Sequence, residues 1–343
     1  MGWSTICDFD HEDAQYLYCA NGPAAVLFSA LFGLTLVTHI LQAVLYKRKY
    51  CWVIIMAAFW ECAGLACRAY STKDQTKPST ASAGQLLVLL SPLWVNGFVY
   101  MVFGRMVWFF LPEQKIAGIK ALSMAKIFVW LDILAFIVQG TGGIMDSGFS
   151  AEVSRIGLRI YTAGIAAQQF FVTVFAVLLG TFFRRMLQGR GNFDKGTTWK
   201  PLTIAMFATI SLITIRICFR LAEFAKGPTS PPSILSRKEV FFYVLECLTM
   251  WAAITTLAIW HPGRLMPGED GDFPKKDKPS RKEKKAMKNE EKERKKQEKI
   301  DKKEAKKGGR KNRSRSRSKR RSDMMPLEQT RISSDYYYSD GGR

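Results

Sequence analysis

The sequence predicts an all-α polytopic membrane protein: a seven-transmembrane helix bundle, N-terminus out and C-terminus in, followed by a disordered or charged-helical cytosolic tail. Three observations carry this. Residues 1–263 contain seven apolar stretches, each near the roughly 20 residues needed to cross a hydrocarbon core of about 30 Å. The composition breaks after Gly263, because residues 264–343 hold 28 Lys and Arg against 15 Asp and Glu, more than half of the net charge of +21. Lys and Arg also concentrate in alternate loops, which sets orientation. Whole-chain averages hide the split: 48% of the 343 residues are hydrophobic, yet mean hydropathy is −0.03. The tail is too polar to bury a core and the front too apolar to stay in water, which excludes a single soluble domain.

In chain order, residues 1–23 form an extracellular tail with no Lys or Arg, so there is no basic region of the kind that opens a signal peptide. The transmembrane domain, residues 24–263, has spans at about 24–45, 51–70, 84–111, 123–145, 157–183, 202–224 and 240–260. Pro112, Pro201 and Pro262 lie at or just beyond span ends, where a missing N–H costs least. Pro92 lies inside the third span and predicts a kink or break there. Trp52, Trp108, Trp199 and Trp260 gather near one set of ends, as interfacial aromatics do. The runs lack the alternation of barrel strands.

The first, third and fifth loops carry Lys47, Arg48 and Lys49; Lys115, Lys120 and Lys126; and Arg184, Arg185, Arg190, Lys195 and Lys200. With the basic tail they hold the positive excess, which places them in the cytosol. Cys7 and Cys19 then lie outside, where a disulfide can form, with Cys67 as a competing partner. Cys51, Cys62, Cys218 and Cys247 read as packing residues. The Asn312-Arg-Ser sequon falls in the cytosolic tail and is not expected to be glycosylated.

In the tail, residues 281–307 are almost all Lys, Glu, Arg, Gln and Ala, strong helix formers with Glu–Lys pairs three or four apart and no apolar stripe. An Arg/Ser-rich segment follows at 313–322. Behind seven spans, this reads as a solvated tail lying on anionic inner-leaflet lipid rather than as a nucleic-acid binder. Phosphorylation at Ser314, Ser316, Ser318 or Ser322 would subtract charge and loosen that contact. The basic block is also similar to an endoplasmic-reticulum or sorting signal.

Charges inside a bilayer are costly and usually face a protein interior or a cavity. The candidate binding residues, or intramembrane polar network, are Glu61, Arg68, Asn96, Asp132, Gln139, Gln168, Arg216, Arg220, Glu223 and Glu246. Arg216, Arg220 and Glu223 share one helix face by spacing, as do Asp132 with Gln139 and Glu239 with Glu246. Most lie in the outer half, which predicts a charged, hydrated cleft open to the outside and rimmed by helices two, four, five, six and seven. Two readings stand: a structural network pairing Arg216 or Arg220 with Glu246 or Glu61, and a substrate or proton site. Arg105 and Glu239, nearer span ends, are expected to snorkel.

Several chemistries lack their residues. Of His11, His39 and His261, only His39 falls within a span, so no multi-histidine metal site is expected, and His39 reads as a packed polar residue. There is no G-x-x-x-x-G-K-[ST] phosphate loop and no G-x-S-x-G elbow. No catalytic residue, metal or cofactor is assigned, and the expectation is a non-enzyme.

The ordered motifs Tyr18…Asn21…Pro23, Phe28…Phe32…His39, Glu61-Cys-Ala-Gly64…Arg68, Leu90-Ser-Pro92…Tyr100…Gly104-Arg105 and Asp132…Gln139-Gly-Thr-Gly-Gly143 continue with Gly157…Gly164…Gln168, Arg216…Arg220…Glu223…Gly227, Glu239…Tyr243…Glu246 and His261-Pro262-Gly263. Together, over about residues 15–263, they make the chain resemble the fungal seven-span lipid-translocating exporter family, known for aminocholesterol resistance and sphingoid long-chain-base release. Glu246 stands where the family pattern tends to have Asp, which keeps the charge, and the first motif is compressed around Asn21-Gly22-Pro23. The resemblance implies an integral membrane protein of the plasma membrane, or of the endoplasmic reticulum or vacuole, that extrudes amphipathic lipids such as sphingoid long-chain bases or sterol-like compounds. On that reading Glu61, Asp132 or Glu246 pairs with an ammonium head, while Arg216 and Arg220 hold the carboxylates ionised. The alternative is a seven-transmembrane receptor or lipid sensor signalling through its tail.

Overall fold

The computed structural model describes residues 20–72, 78–146, 150–191, 199–224, 234–267, 273, 286 and 289–298. The chain divides into two units, Met1–Pro274 and Lys275–Arg343. The first contains α1 (Gly22–Tyr46), α2 (Trp52–Ser71), α3 (Pro78–Phe110), α4 (Ala121–Asp146), α5 (Ala151–Leu187) and α6 (Trp199–Phe224). The seventh helix, α7, is the span Glu239–Leu265. All seven are long and apolar enough to cross a membrane, and they correspond one to one with the predicted spans. The chain is an integral membrane protein with an all-α seven-helix bundle.

Consecutive helices pack side by side, and α7 returns against α1 to close the ring. The face carrying Asn21 holds the start of α1; the opposite face holds His261. Asn21 sets the entry to α1: its Oδ1 accepts the Ala24 N–H at 3.1 Å, with Pro23 in the first turn. Asn21→Ala is expected to cost about 1 kcal/mol of stability, read as a lowered melting temperature in detergent. A melting temperature equal to wild type would show that the cap is dispensable.

Close approach between helices depends on glycine. A Cβ on Gly84 of α3 would stand 2.9 Å from the Gly64 carbonyl oxygen of α2. Gly142 of α4 faces Gly157 and Tyr161 of α5, and Gly164 faces the backbone of Ala135 and Gln139. Helix α3 runs unbroken through Pro92, so of the kink or break expected there, a break is not what forms. Gly64 against Gly84 and the Ser91 hydroxyl on the Ala57 carbonyl at 3.0 Å tie α3 to α2 on the N-terminal side of the proline.

The aromatic centre joins Tyr100 and Phe103 of α3, Phe128 of α4 and Phe175 of α5, with ring centroids 4.7–5.3 Å apart. Helix α3 is the most enclosed, 61% of its apolar window being buried against 22% for α1. On α1, Leu27, Leu34 and Leu41 point outward seven residues apart, as lipid-facing residues do. Trp199 corrects an expectation. It is 2% exposed and packs edge-on against Phe183, so it is a core residue and not an interfacial anchor. The loop after α3 holds a small hairpin that the sequence did not predict: β1 (Lys115–Ile116) pairs antiparallel with β2 (Ile119–Lys120) across Ala117 and Gly118, both at positive φ.

Helix α7 is irregular. A short α segment, Glu239–Phe241, passes into a π-helical segment, Phe242–Leu248, and then an α segment, Thr249–Ile259. Such wider turns are rare and frequent at functional sites. A final turn, Pro262–Leu265, is capped by His261 Nδ1 accepting the Gly263 N–H at 3.1 Å.

In the second unit, residues 289–298 are helical, with Lys295 on Glu291 at 2.6 Å and Arg294 on Glu298 at 3.9 Å, both at i, i+4. The Lys295 hydrogen bond holds the Glu291 carboxyl below its usual range. Cys7, Cys19, the rest of the 281–307 segment apart from residue 286, and the Arg/Ser segment with Ser314, Ser316, Ser318 and Ser322 lie outside the described residues.

Candidate functional site in the transmembrane bundle

Nearly all the polar residues singled out from the sequence turn inward. Nearest the Asn21 face, Arg68 Nη2 of α2 meets Glu239 Oε1 of α7 at 3.0 Å. The Asn21 backbone N–H donates to the other Glu239 oxygen at 2.7 Å, and the Tyr243 hydroxyl donates to the Asn21 carbonyl at 3.3 Å. The Arg68 guanidinium lies 4.2 Å from the Phe242 ring centroid, a cation–π geometry. Glu239 therefore does not snorkel. Its side chain is 9% exposed because Arg68 and the backbone of Asn21 complete its partners.

One layer deeper, Arg216 Nη2 of α6 meets Glu246 Oε1 of α7 at 2.5 Å. Arg220 Nη1 meets Glu223 Oε2 at 3.2 Å, its Nη2 donates to the Tyr161 hydroxyl of α5 at 3.0 Å, and its Nε lies 3.9 Å from Glu246 Oε2. Glu246 thus sits between two arginines. The shared face expected for Glu239 and Glu246 is not used as one: Glu239 goes to α2 and Glu246, which lies inside the π segment, to α6.

Beside this network lies Glu61 of α2, 1% exposed. Neither of its carboxylate oxygens has a hydrogen-bond partner. The charges that reach it are Arg216 and Glu246, which are already matched to each other. Ser91 lies beside it, but its hydroxyl goes to Ala57. Among these residues three arginines (Arg68, Arg216, Arg220) face four glutamates (Glu61, Glu223, Glu239, Glu246), and three ion pairs leave Glu61 over.

Two smaller groups stand apart. Asp132 Oδ2 of α4 accepts from Asn96 Nδ2 at 2.9 Å and the Tyr100 hydroxyl at 3.0 Å, both on α3, while Oδ1 is buried without a partner. Gln139 Nε2 of α4 donates to Gln168 Oε1 of α5 at 3.1 Å. Toward the opposite face, His39 Nε2 is 3.2 Å from the Ile254 carbonyl, and Cys51 Sγ is 3.4 Å from His261 Nε2. Among the described residues no group of three His, Cys, Asp or Glu side chains is placed to hold a metal.

The expected open, hydrated cleft is not what forms. Glu61, Asp132, Arg216, Arg220 and Glu246 are all buried: Arg216 and Arg220 close on Glu246 and Tyr161 across α5, α6 and α7, Asp132 is held by Asn96 and Tyr100 of α3, and Glu61 is enclosed without a hydrogen-bond partner. Near them is a groove of about 560 Å³ between α1 and α2, lined by Ser29, Ala30 and Gly33 on one side and Cys62, Ala66 and Ala69 on the other. Cys62 follows Glu61 in the chain, so α2 presents the carboxylate to the interior and the groove wall to the outside. Sequence reasoning missed Tyr161 as a partner of Arg220. Its spacing from Gly157, Gly164 and Gln168 puts it on the α5 face that meets α4, and that was the available signal.

These features define a class, a seven-helix membrane bundle with a sealed ionic layer toward one face. The chain belongs to the RTA1-like family, whose model, described as RTA1 like protein, matches residues 54–269. It is similar to the probable lipid transporter atnI of Emericella nidulans, 40% identical over 279 residues, covering 78% of this chain and 72% of the relative. It is also similar to the protein RTA1 of Saccharomyces cerevisiae, 29% identical over 209 residues, covering 61% of this chain and 64% of the relative. The sphingoid long-chain base transporter RSB1 of Saccharomyces cerevisiae is 21% identical over 282 residues, covering 71% of this chain and 72% of the relative. No solved structure matches.

Proposed function

We propose that this protein is a lipid-translocating exporter or facilitator of amphipathic lipids, such as sphingoid long-chain bases or sterol-like compounds, and confers resistance to them. The observation that carries the reading is Glu61: a sealed carboxylate with no partner for either oxygen, left over when three arginines pair with three other glutamates. An ammonium head supplies the missing charge and hydrogen bonds. The single long tail of a sphingoid base suits the apolar groove between α1 and α2, on the far side of the same helix turn. Helix α1, the least enclosed of the seven, is the element whose movement opens the way from groove to carboxylate. The relatives named as lipid and long-chain-base transporters support the same class of cargo. Asp132, half satisfied by Asn96 and Tyr100, is the secondary cation site.

In this reading the protein works without catalysis, in the plasma membrane, with the Asn21 face outside and the basic tail on the anionic inner leaflet. Phosphorylation at Ser314, Ser316, Ser318 or Ser322 weakens the tail contact. The test is growth of cells challenged with a long-chain base at matched surface levels of protein. Glu61→Gln is expected to reduce resistance to that of cells lacking the protein, and Glu61→Asp to keep part of it. Full resistance in Glu61→Gln would overturn the assignment.

A further inference from the structure

We propose that Glu61 is an exchange site at which a proton and the substrate's cationic head alternate, so that one lipid cation leaves for each proton that enters. The inference rests on the exporter reading and adds its energy source.

The charge pattern around Glu61 carries it. Arg68 is matched to Glu239, Arg216 to Glu246 and Arg220 to Glu223. On α3 the nearest polar group is Ser91, with its hydroxyl on a backbone carbonyl. On α6 the facing charge is Arg216, and on α7 the facing groups are Glu246 and Cys247. Within α1 the titratable side chains are His39 and Tyr46, both toward the opposite face, where His39 reaches the Ile254 carbonyl. The Ser91 hydroxyl is close enough to bear on Glu61, but its single proton goes to the Ala57 carbonyl, which leaves both Glu61 oxygens buried and unpartnered. A sealed bare carboxylate is a costly state. One positive species relieves it, and there is room in the charge pattern for one only. A proton and a lipid cation therefore exclude each other, which is the requirement for coupled exchange.

The cycle balances. Facing the cytosol, the lipid cation displaces the proton of the Glu61 carboxylic acid, and that proton leaves to the cytosol. Facing outside, the lipid cation leaves, and a proton from the external medium takes its place on the same carboxylate. One cation moves out and one proton moves in, with no net charge transferred. The sequence has no phosphate loop for a nucleotide, and this exchange needs none.

The experiment uses the full chain in liposomes with a trapped pH dye. The probe is an N,N,N-trimethylated sphingoid base, which has no ammonium proton to lose and so carries none itself, corrected for protein-free vesicles. A gradient of one pH unit is expected to drive about a tenfold redistribution of the probe, since a tenfold proton ratio is balanced by a tenfold cation ratio. Proton counterflow should accompany it, and a potassium diffusion potential should change neither. Glu61→Gln, checked for wild-type thermal melting, should lose both fluxes. Probe movement at one rate with and without the gradient, and without proton flux, would overturn the exchange while leaving the exporter reading intact. No probe or natural long-chain-base movement under any gradient would overturn the exporter reading itself.

Discussion

Arg216→Ala is expected to destabilise the bundle by about 3–5 kcal/mol, the usual cost of removing one partner from a buried ion pair. The reason is what stays behind. Glu246 is 2% exposed, and without Arg216 its nearest cation is Arg220 Nε at 3.9 Å, itself engaged with Glu223 and Tyr161. Arg220 offsets some of the loss, so the lower end of the range is expected. The informative control is the double replacement Arg216→Met with Glu246→Leu. Apolar residues of similar volume remove both charges, and such swaps are often neutral or stabilising. The double variant should therefore melt well above Arg216→Ala. Melting curves in detergent for the two single variants and the double separate the pair term from the rest. If both singles melt at the wild-type temperature, the pair does not hold α6 to α7.

Gly142→Val is the second large effect. A Cβ at residue 142 would stand 2.6 Å from the Gly157 carbonyl oxygen and 2.8 Å from the Tyr161 Cα. Those are backbone atoms, which move only if α4 and α5 separate. Overpacking of well-packed sites costs about 1–3 kcal/mol and occasionally more, and a backbone clash belongs at or above the upper end. Separation would also pull Gln168 from Gln139 and displace Tyr161 from Arg220. Gly140 is the matched control, since a Cβ there meets nothing within 4 Å. Gly140→Ala should be neutral or stabilising by up to about 1 kcal/mol, from helix propensity. Comparable surface yield for Gly142→Val and Gly140→Ala would contradict the close approach of these helices.

The candidate residues were legible in the sequence, and so was part of their pairing: Arg216 with Glu246 is one of the expected pairs, whereas Arg68 with Glu239 is not. Glu61, Arg216, Arg220 and Glu246 stand out because charges in an apolar run have few uses. The rest of the pairing is a different matter. Arg68 and Glu239 are 171 residues apart, and Asn21 and Glu239 are 218 apart. Glu239 looked like a residue for the lipid interface because its place near a span end is visible, whereas its two partners on other helices are not. Trp199 misled in the same way, since burial against Phe183 depends on α5. The π segment of α7 left no mark in the sequence, and Glu246 lies inside it, so the alignment with Glu239 that even helical spacing predicts does not apply.

The sequence by itself determined seven spans, their order and approximate ends, and the separation of a basic tail from an apolar bundle. It could do so because each span is selected by its own local hydrophobicity over a fixed thickness of hydrocarbon. The charge signs along each helix were equally local. Only the tertiary structure decided that the polar residues close into a sealed layer instead of lining an open cleft. It alone showed that three arginines are used up by Glu223, Glu239 and Glu246, leaving Glu61 without a partner. That outcome follows from helix rotation and close packing, set by small residues such as Gly64, Gly84, Gly142 and Gly157 on neighbouring helices. A side chain's charge is a property of its residue, but its compensation is a property of what other helices bring within about 4 Å.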